Sequence, residues 1–217
     1  LNLRSLTLFA DKTYQSNPKF RPILGAREQE FSDEEILQLE KVHQALAIIQ
    51  FKLENQLIKR RPEFQMQDHV MLDKIDYWEE SVTIDDTKHP LVNTCFQTIN
   101  PENPSALTPE ENQAVDSMMA SFQNSLKMAE HMSLLMNKGS MYKIYNHHLL
   151  FHGCIPLEPS GEFQPFILNQ AHYAGKELLD FFEYHIRQAA KNKEVGDDLS
   201  TDLIWYCWKG KLSPLFG

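Results

Sequence analysis

The amino-acid sequence predicts an α+β segment, predominantly helical, in which short β-strands accompany long helices. Three observations predict it. Two long stretches carry apolar residues at spacings of three and four, and each opens on a Ser/Thr-x-x-Glu capping box. Several short apolar runs are bounded by turn residues, which is the pattern of strands. These runs are too short and too few to build a large sheet alone.

Residues 3–14 read as a short helix. Asn17-Pro18 ends it, because proline drives the residue before it out of the helical region. Residues 25–31 read as a connector. Ser32 then opens the clearest helix: its hydroxyl can accept from the Glu35 amide while the Glu35 carboxylate reaches back. Leu39, Val42, Leu46, Ile49, Leu53 and Leu57 define the expected buried stripe. Lys59-Arg60-Arg61-Pro62 closes the helix, with cations suited to the negative terminus and a proline that stops propagation.

Residues 82–84 and 91–94 read as strands joined by a turn over 85–88. Three prolines make 100–109 a loop. Thr108-Pro109-Glu110-Glu111 is the second capping box, with proline at the first helical position. Val115, Met118, Phe122, Leu126, Ala129, Met132 and Met136 form the apolar face of one helix, and Gly139 suits its C-terminal cap. Residues 141–145 and 149–151 read as strands joined near Asn146-His147. A further strand at about 163–168 leads to a helix over 173–191, and a last amphipathic helix covers 199–208.

The chain has 217 residues, enough to bury a sizeable core in one domain or two small lobes. Its net charge of -9 argues against a nucleic-acid partner, which needs a cationic face. A local cluster of cations could still hold a small anion. Three widely spaced cysteines, Cys95, Cys154 and Cys207, give no disulfide framework, so a cytoplasmic setting is expected. No apolar run approaches the roughly 18 residues of a membrane span, so no membrane partner is expected. The chain begins at Leu1 rather than Met and has no cleavage-site pattern near its start, so it reads as an internal piece of something longer.

The stretch that carries chemistry is Asn146-His147-His148-Leu149-Leu150-Phe151-His152-Gly153-Cys154-Ile155-Pro156. An apolar run delivers His152 to the end of a strand, and a glycine follows at once. A strand fixes the imidazole, and the glycine permits close backbone approach. Neutral imidazole suits Mn²⁺, Fe²⁺ or Zn²⁺. By spacing alone, a single histidine at a strand end is more often structural, and His147 and His148 read as exposed turn residues.

Residues 149–156 resemble the fourth motif of the calcineurin-like metallophosphoesterases, in which a similar strand ends in His-Gly. The segment is similar over nearly its whole length to the class III, Firmicutes/Bacteroidetes-type fructose-1,6-bisphosphatases. The residues that carry this are Ala47-Ile48-Ile49-Gln50-Phe51-Lys52-Leu53-Glu54, residues 58–64, Lys74-Ile75-Asp76-Tyr77, Asn93-Thr94-Cys95-Phe96, residues 152–156, Asp197-Asp198-Leu199, Thr201-Asp202-Leu203, Ser213, and Leu215-Phe216-Gly217. The resemblance implies a parent with an α/β metallophosphoesterase sandwich and a helical insertion. Residues 1–140 would be that insertion, with a β-hairpin near 82–94. Residues 141–217 would be part of the core, including the strand ending at His152. The implied activity is hydrolysis of the 1-phosphate of fructose 1,6-bisphosphate to fructose 6-phosphate, a step of gluconeogenesis.

The resemblance further implies two Mn²⁺ per active site, a bridging hydroxide as nucleophile, and His152 as one metal ligand. The family's Asp-x-His, Gly-Asp-x-x-Asp-Arg-Gly, Gly-Asn-His-Asp/Glu and Gly-His-Thr-Pro signatures do not occur in this sequence. The other ligands and the general acid are therefore expected elsewhere, no catalytic residue is assigned here, and the segment alone is expected to be inactive. The substrate's second phosphate needs a cationic clamp, for which Arg60 and Arg61 or Lys209 and Lys211 are candidates. Helix-end charge complementing the dipole is the plainer reading of the first cluster, and a solvated C-terminal end is an equal reading of the second. Plain readings also apply to the Met stripe as core or a packing face, to Trp205 and Trp208 as buried, to Cys154 as an inert buried thiol, and to Asp197-Asp198 as a helix cap. A homo-oligomer stays open. The alternative function is a non-catalytic helical accessory or assembly module of a metallophosphoesterase.

Overall fold

The computed structural model describes residues 3–192 and 198–215. Asp197 of the expected cap, and Phe216 and Gly217, lie outside the described residues. The architecture is α+β. In chain order it runs α1 (Arg4–Thr13), α2 (Asp33–Arg60), β1 (Ile75–Asp76), β2 (Ser81–Ile84), β3 (Thr87–Pro90), α3 (Pro109–Gln123), α4 (Leu126–Lys138), β4 (Tyr142–Tyr145), β5 (His148–Phe151), β6 (Phe166–Leu168), β7 (Ala171–Tyr173), α5 (Gly175–Lys191) and α6 (Leu199–Lys209). Two compact units form. The first comprises residues up to Arg60 together with Gln67–Ser125, and the second Arg61–Met66 together with residues from Leu126 onward. This partition places α4 and Arg61–Met66 in the second unit.

In the first unit α1 packs on α2 and α3. Leu6, Phe9 and Tyr14 meet Val42, Ala45, Ile48 and Ile49, with Cys95 and Ala114 beside them. Both capping boxes form. The Glu35 amide donates to Ser32 Oγ at 3.3 Å, and the Ser32 amide to the Glu35 carboxylate at 2.8 Å. The second box does more. Glu111 accepts from the Thr108 amide at 2.7 Å and also from Lys52 Nζ at 2.7 Å, and both charged side chains have 0% exposure. Lys52 donates to the Thr98 carbonyl at 2.8 Å, and the Thr98 hydroxyl donates to the second Glu111 oxygen at 2.6 Å. The Tyr14 hydroxyl lies 3.3 Å from Thr98 Oγ1, and burial pushes its pKa up to about 12.

This network explains a correction to the expected α2 stripe. Val42, Ile49 and Leu57 are buried, but Leu46 and Leu53 are each 37% exposed. The face that is buried also contains Glu40, Gln44, Lys52 and Asn55. Polar groups go inside when they are partnered. Glu40 accepts from Ser16 Oγ at 2.5 Å, and Gln44 donates to the Gln15 carbonyl at 2.7 Å.

The hairpins correct the strand boundaries. Asp85-Asp86, Asn146-His147 and Asn169-Gln170 all have positive φ. Two successive left-handed residues make the two-residue turn whose twist matches antiparallel strands. β2 therefore pairs with β3 beginning at Thr87, rather than with a strand over 91–94. His148 likewise belongs to β5, opposite Tyr145, while His147 is a turn residue. β7 is a strand within what was read as the approach to the helix.

The helix expected to run from Thr108 through Met136 is two helices. Asn124 breaks it: its amide and its side-chain Nδ2 both reach the Ala120 carbonyl, at 3.0 and 2.8 Å. An asparagine side chain competes with the backbone ladder in this way. The C-terminal part, α4, buries no residue, so its Met stripe is not core. It is tied instead by Arg187, whose guanidinium donates to the Met136 and Gly139 carbonyls at 2.5 and 2.9 Å. A cation at a helix C-terminus complements the dipole there.

The core of the second unit is aromatic. Phe166 lies 5.7, 5.6 and 5.0 Å from Phe181, Phe182 and Tyr206, centroid to centroid, and Phe64 lies 5.1 Å from Tyr206. These contacts join β6, α5 and α6. Asp198 caps α6 by accepting from the Thr201 amide at 3.0 Å, and the Thr201 hydroxyl, donating to the same carboxylate at 2.5 Å, is the main cause that holds its carboxyl below the usual range. Trp208 is 57% exposed, not buried as expected; its ring instead supports Lys209, whose Nζ is 4.8 Å from the centroid. Cys154 is half-buried rather than buried.

Two outcomes follow from these contacts. Lys52→Met should destabilise the first unit by about 3–5 kcal/mol, because it strands a buried carboxylate. Lys52→Met combined with Glu111→Gln should recover much of the loss, since glutamine can still complete the capping box. Equal losses in the single and double variants, by chemical denaturation, would show that the pair is not the controlling interaction.

The second concerns His185, whose Nδ1 lies 2.9 Å from Ser200 Oγ. Burial holds its pKa below the ordinary 6.5, with Asp198 pulling weakly the other way. The unfolded chain then binds the extra proton first. This site's stabilisation is complete above 6.5 and is lost as pH falls towards the lowered folded value. Denaturation midpoints should therefore fall less steeply on acidification in His185→Asn than in the parent sequence.

Candidate functional site around His152

β5 ends at Phe151 and hands the chain to His152. Its register is fixed by β4: Tyr142 opposes Phe151, and Ile144 opposes Leu149. Opposed residues share a face, so Tyr142, Ile144, Leu149 and Phe151 lie on one face of this hairpin, with the Tyr142 hydroxyl donating to Asp180 at 3.0 Å. That face is open: Ile144 is 65% exposed and Leu149 is 48%. His152 is itself exposed and has no hydrogen bond to any other described residue.

The chain after His152 is held far more closely. Gly153 has φ +84°, a conformation that favours glycine, and a β-carbon there would overlap the Pro214 carbonyl oxygen. The Cys154 amide donates to that same carbonyl at 3.1 Å. Cys154 Sγ lies 3.6 Å from the Ser213 carbonyl. Ser213 is fully buried. Its hydroxyl donates to the Cys207 carbonyl at 2.6 Å and accepts from the Leu215 amide at 3.1 Å.

Chemically, the arrangement presents one imidazole with its ring nitrogens available. As a single donor this fits a borderline divalent cation such as Zn²⁺ or Fe²⁺. Among the described residues no three His, Cys, Asp or Glu side chains converge on a metal-sized site. Among the described residues His152 is therefore at most one member of a donor set.

The phosphate-clamp candidates have structural engagements. Arg61 Nε lies 2.7 Å from Asp202 Oδ2, whose side chain is 2% exposed, so Arg61 neutralises a buried carboxylate of α6. Arg60 is the last residue of α2. Lys211 lines a cavity of about 350 Å³ with Gln164 and Tyr206, and with two carboxylates, Glu63 and Glu158, that offset its pull on an anion. Lys209 covers Trp208.

The residues that sequence reasoning left without a role are Ser213 and Asp202. Asp202 lies in the first turn of α6, where an acid is ordinary, and its partner Arg61 is remote in sequence. Ser213 offered no local signal beyond a serine before a proline, and it is otherwise marked only as one of the residues that carry the resemblance.

A family model described as Firmicute fructose-1,6-bisphosphatase matches residues 1–217. The fructose-1,6-bisphosphatase class 3 of Streptococcus sanguinis is 96% identical over 217 residues, which are 100% of this chain and 34% of that protein. The protein of the same name from Streptococcus gordonii is 82% identical and that from Oceanobacillus iheyensis 48% identical, with the same coverage of 100% and 34%. The chain thus spans about a third of the length of the curated relatives it matches. No solved structure matches it.

Proposed function

The chain belongs to the Firmicute fructose-1,6-bisphosphatase family, and on that premise we propose that it is one part of a metal-dependent phosphatase that hydrolyses the 1-phosphate of fructose 1,6-bisphosphate. The observation that carries this reading is the match over all 217 residues to relatives bearing that enzyme's name. Both units fall within it, which leaves the accessory-module alternative without support of its own.

In this reading His152 contributes one nitrogen to a Mn²⁺ centre in the cytoplasmic enzyme. The metal, when bound, lowers the pKa of a water and offsets charge gathering on the phosphate oxygens. What this chain does is narrower: β5 carries the imidazole, its exposure leaves the ring nitrogens available, and the Gly153 turn aims it. The open apolar face of β4–β5 supports a second element of the reading. A two-stranded hairpin is marginal by itself, and joining a larger metallophosphoesterase sandwich would cover Ile144, Leu149 and Phe151. Arg60, Arg61, Lys209 and Lys211 remain the proposed contacts for the second phosphate.

The experiment uses a full-length class 3 enzyme carrying this segment. His152→Ala should lower bound Mn²⁺ and cut kcat by at least about 100-fold, the order lost when an imidazole ligand or its support is removed, with the Tm of the metal-free protein unchanged. Full metal content and turnover in this variant would sink the assignment. For the clamp, Arg60→Glu should raise KM for the bisphosphate about tenfold, the loss of roughly one charge-assisted contact, with little effect on kcat. An unchanged KM removes Arg60 from the substrate's neighbourhood. Arg61 is a poorer probe, because its loss strands Asp202.

A further inference from the structure

We propose that Ser213 is the positioning residue for His152, acting through a strap formed by residues 213–215. The inference rests on the reading of His152 as a metal ligand and says how that ligand is aimed.

A metal-bound imidazole has to be held within about half an ångström of its place. The usual device is a hydrogen bond to its second ring nitrogen. His152 receives none from the described residues, so its placement falls to the backbone on either side. On the N-terminal side is the β4–β5 hairpin, in which every residue of β5 is exposed. On the C-terminal side is the strap.

The strap's geometry is specific. The Pro214 carbonyl receives the Cys154 amide at 3.1 Å, and only glycine at 153 lets the two backbones approach this closely. Pro214 is presented by Ser213. The Ser213 amide donates to the Gly210 carbonyl at 3.1 Å, and its hydroxyl spans the Cys207 carbonyl and the Leu215 amide at 2.6 and 3.1 Å. One buried hydroxyl therefore fixes both flanks of the Pro214 turn to the end of α6. Orientation passes from α6 to Ser213, to the Pro214 carbonyl, to Gly153-Cys154, and so to His152. Deleting the hydroxyl leaves an acceptor and a donor without their partner and releases the turn.

The test uses full-length enzyme with Ser213→Ala, Ser213→Thr and His152→Ala, and has two readouts. In metal-free protein, hydrogen exchange at the Cys154 amide should quicken about tenfold or more in Ser213→Ala, while α5 amides stay as they were. Titration with MnCl₂ should show binding 10–100-fold weaker in Ser213→Ala, the usual effect of losing a ligand's support, and Ser213→Thr, which keeps the hydroxyl, should restore both. Wild-type Mn²⁺ affinity in Ser213→Ala, beside a loss in His152→Ala, overturns this proposal and leaves the ligand assignment standing. Faster exchange throughout α5 and α6 also overturns it, because Ser213 would then serve the whole unit. Undiminished Mn²⁺ binding in His152→Ala overturns both readings together. If Ser213→Ala does not fold, Gly153→Ala breaks the same contact from the other side and is read against the same outcomes.

Discussion

A lysine without access to water has to be matched by an anion, and in the first unit that requirement organises everything near it. Lys52 and Glu111 are both fully shielded. Desolvating two charges costs several kcal/mol each, which their attraction repays only in good geometry with the remaining donors and acceptors satisfied. Thr98 and Thr108 complete that geometry by occupying Glu111's two oxygens. The same carboxylate that caps α3 thus neutralises a charge in the middle of α2. The starting point of α3 is locked to one position along α2, which a purely apolar contact would not enforce.

The second unit is held by different means. Its interior is a ring-on-ring cluster around Phe166 and Tyr206, and its periphery is tied by side chains that bond backbone carbonyls. Arg187 does this for the end of α4, and Ser213 for the end of α6. Both devices secure the backbone without covering apolar surface. Such surface accordingly stays open on α4 and on β4–β5. Open apolar faces on otherwise well-tied elements mark surfaces suited to a packing partner.

What could be read from the sequence was what is local. Both capping boxes and the ends of α2 depend on residues within one turn of each other, and they stand as expected. The two-residue turns were half legible: Asn146-His147 marks its own turn, but Asp85-Asp86 was read as a longer one, which displaced β3. The buried face of α2 was misread because hydrophobicity cannot show that Glu40, Gln44 and Lys52 have partners waiting in distant loops. The break at Asn124 was hidden by an apolar periodicity that continues across it. His152 stood out only through resemblance, and the contact of Gly153 with Pro214 was invisible, since no local pattern links residues some sixty positions apart.

That last contact bears on the metal centre proposed above, which would be assembled from separated stretches of chain. Each stretch has to deliver its ligand already oriented, because ordering it at the moment of metal binding would cost roughly 0.5–1.5 kcal/mol per mobile side chain. β5 cannot supply that order alone, being one strand of a hairpin exposed on both faces. The adjacent glycine can, by letting the backbone dock against a carbonyl that a buried serine holds rigid. A glycine directly after the imidazole is then more than room for a substrate. It is the place where the backbone of His152 is joined to the packed part of its unit, so the His-Gly pair is a structural joint whatever the imidazole binds.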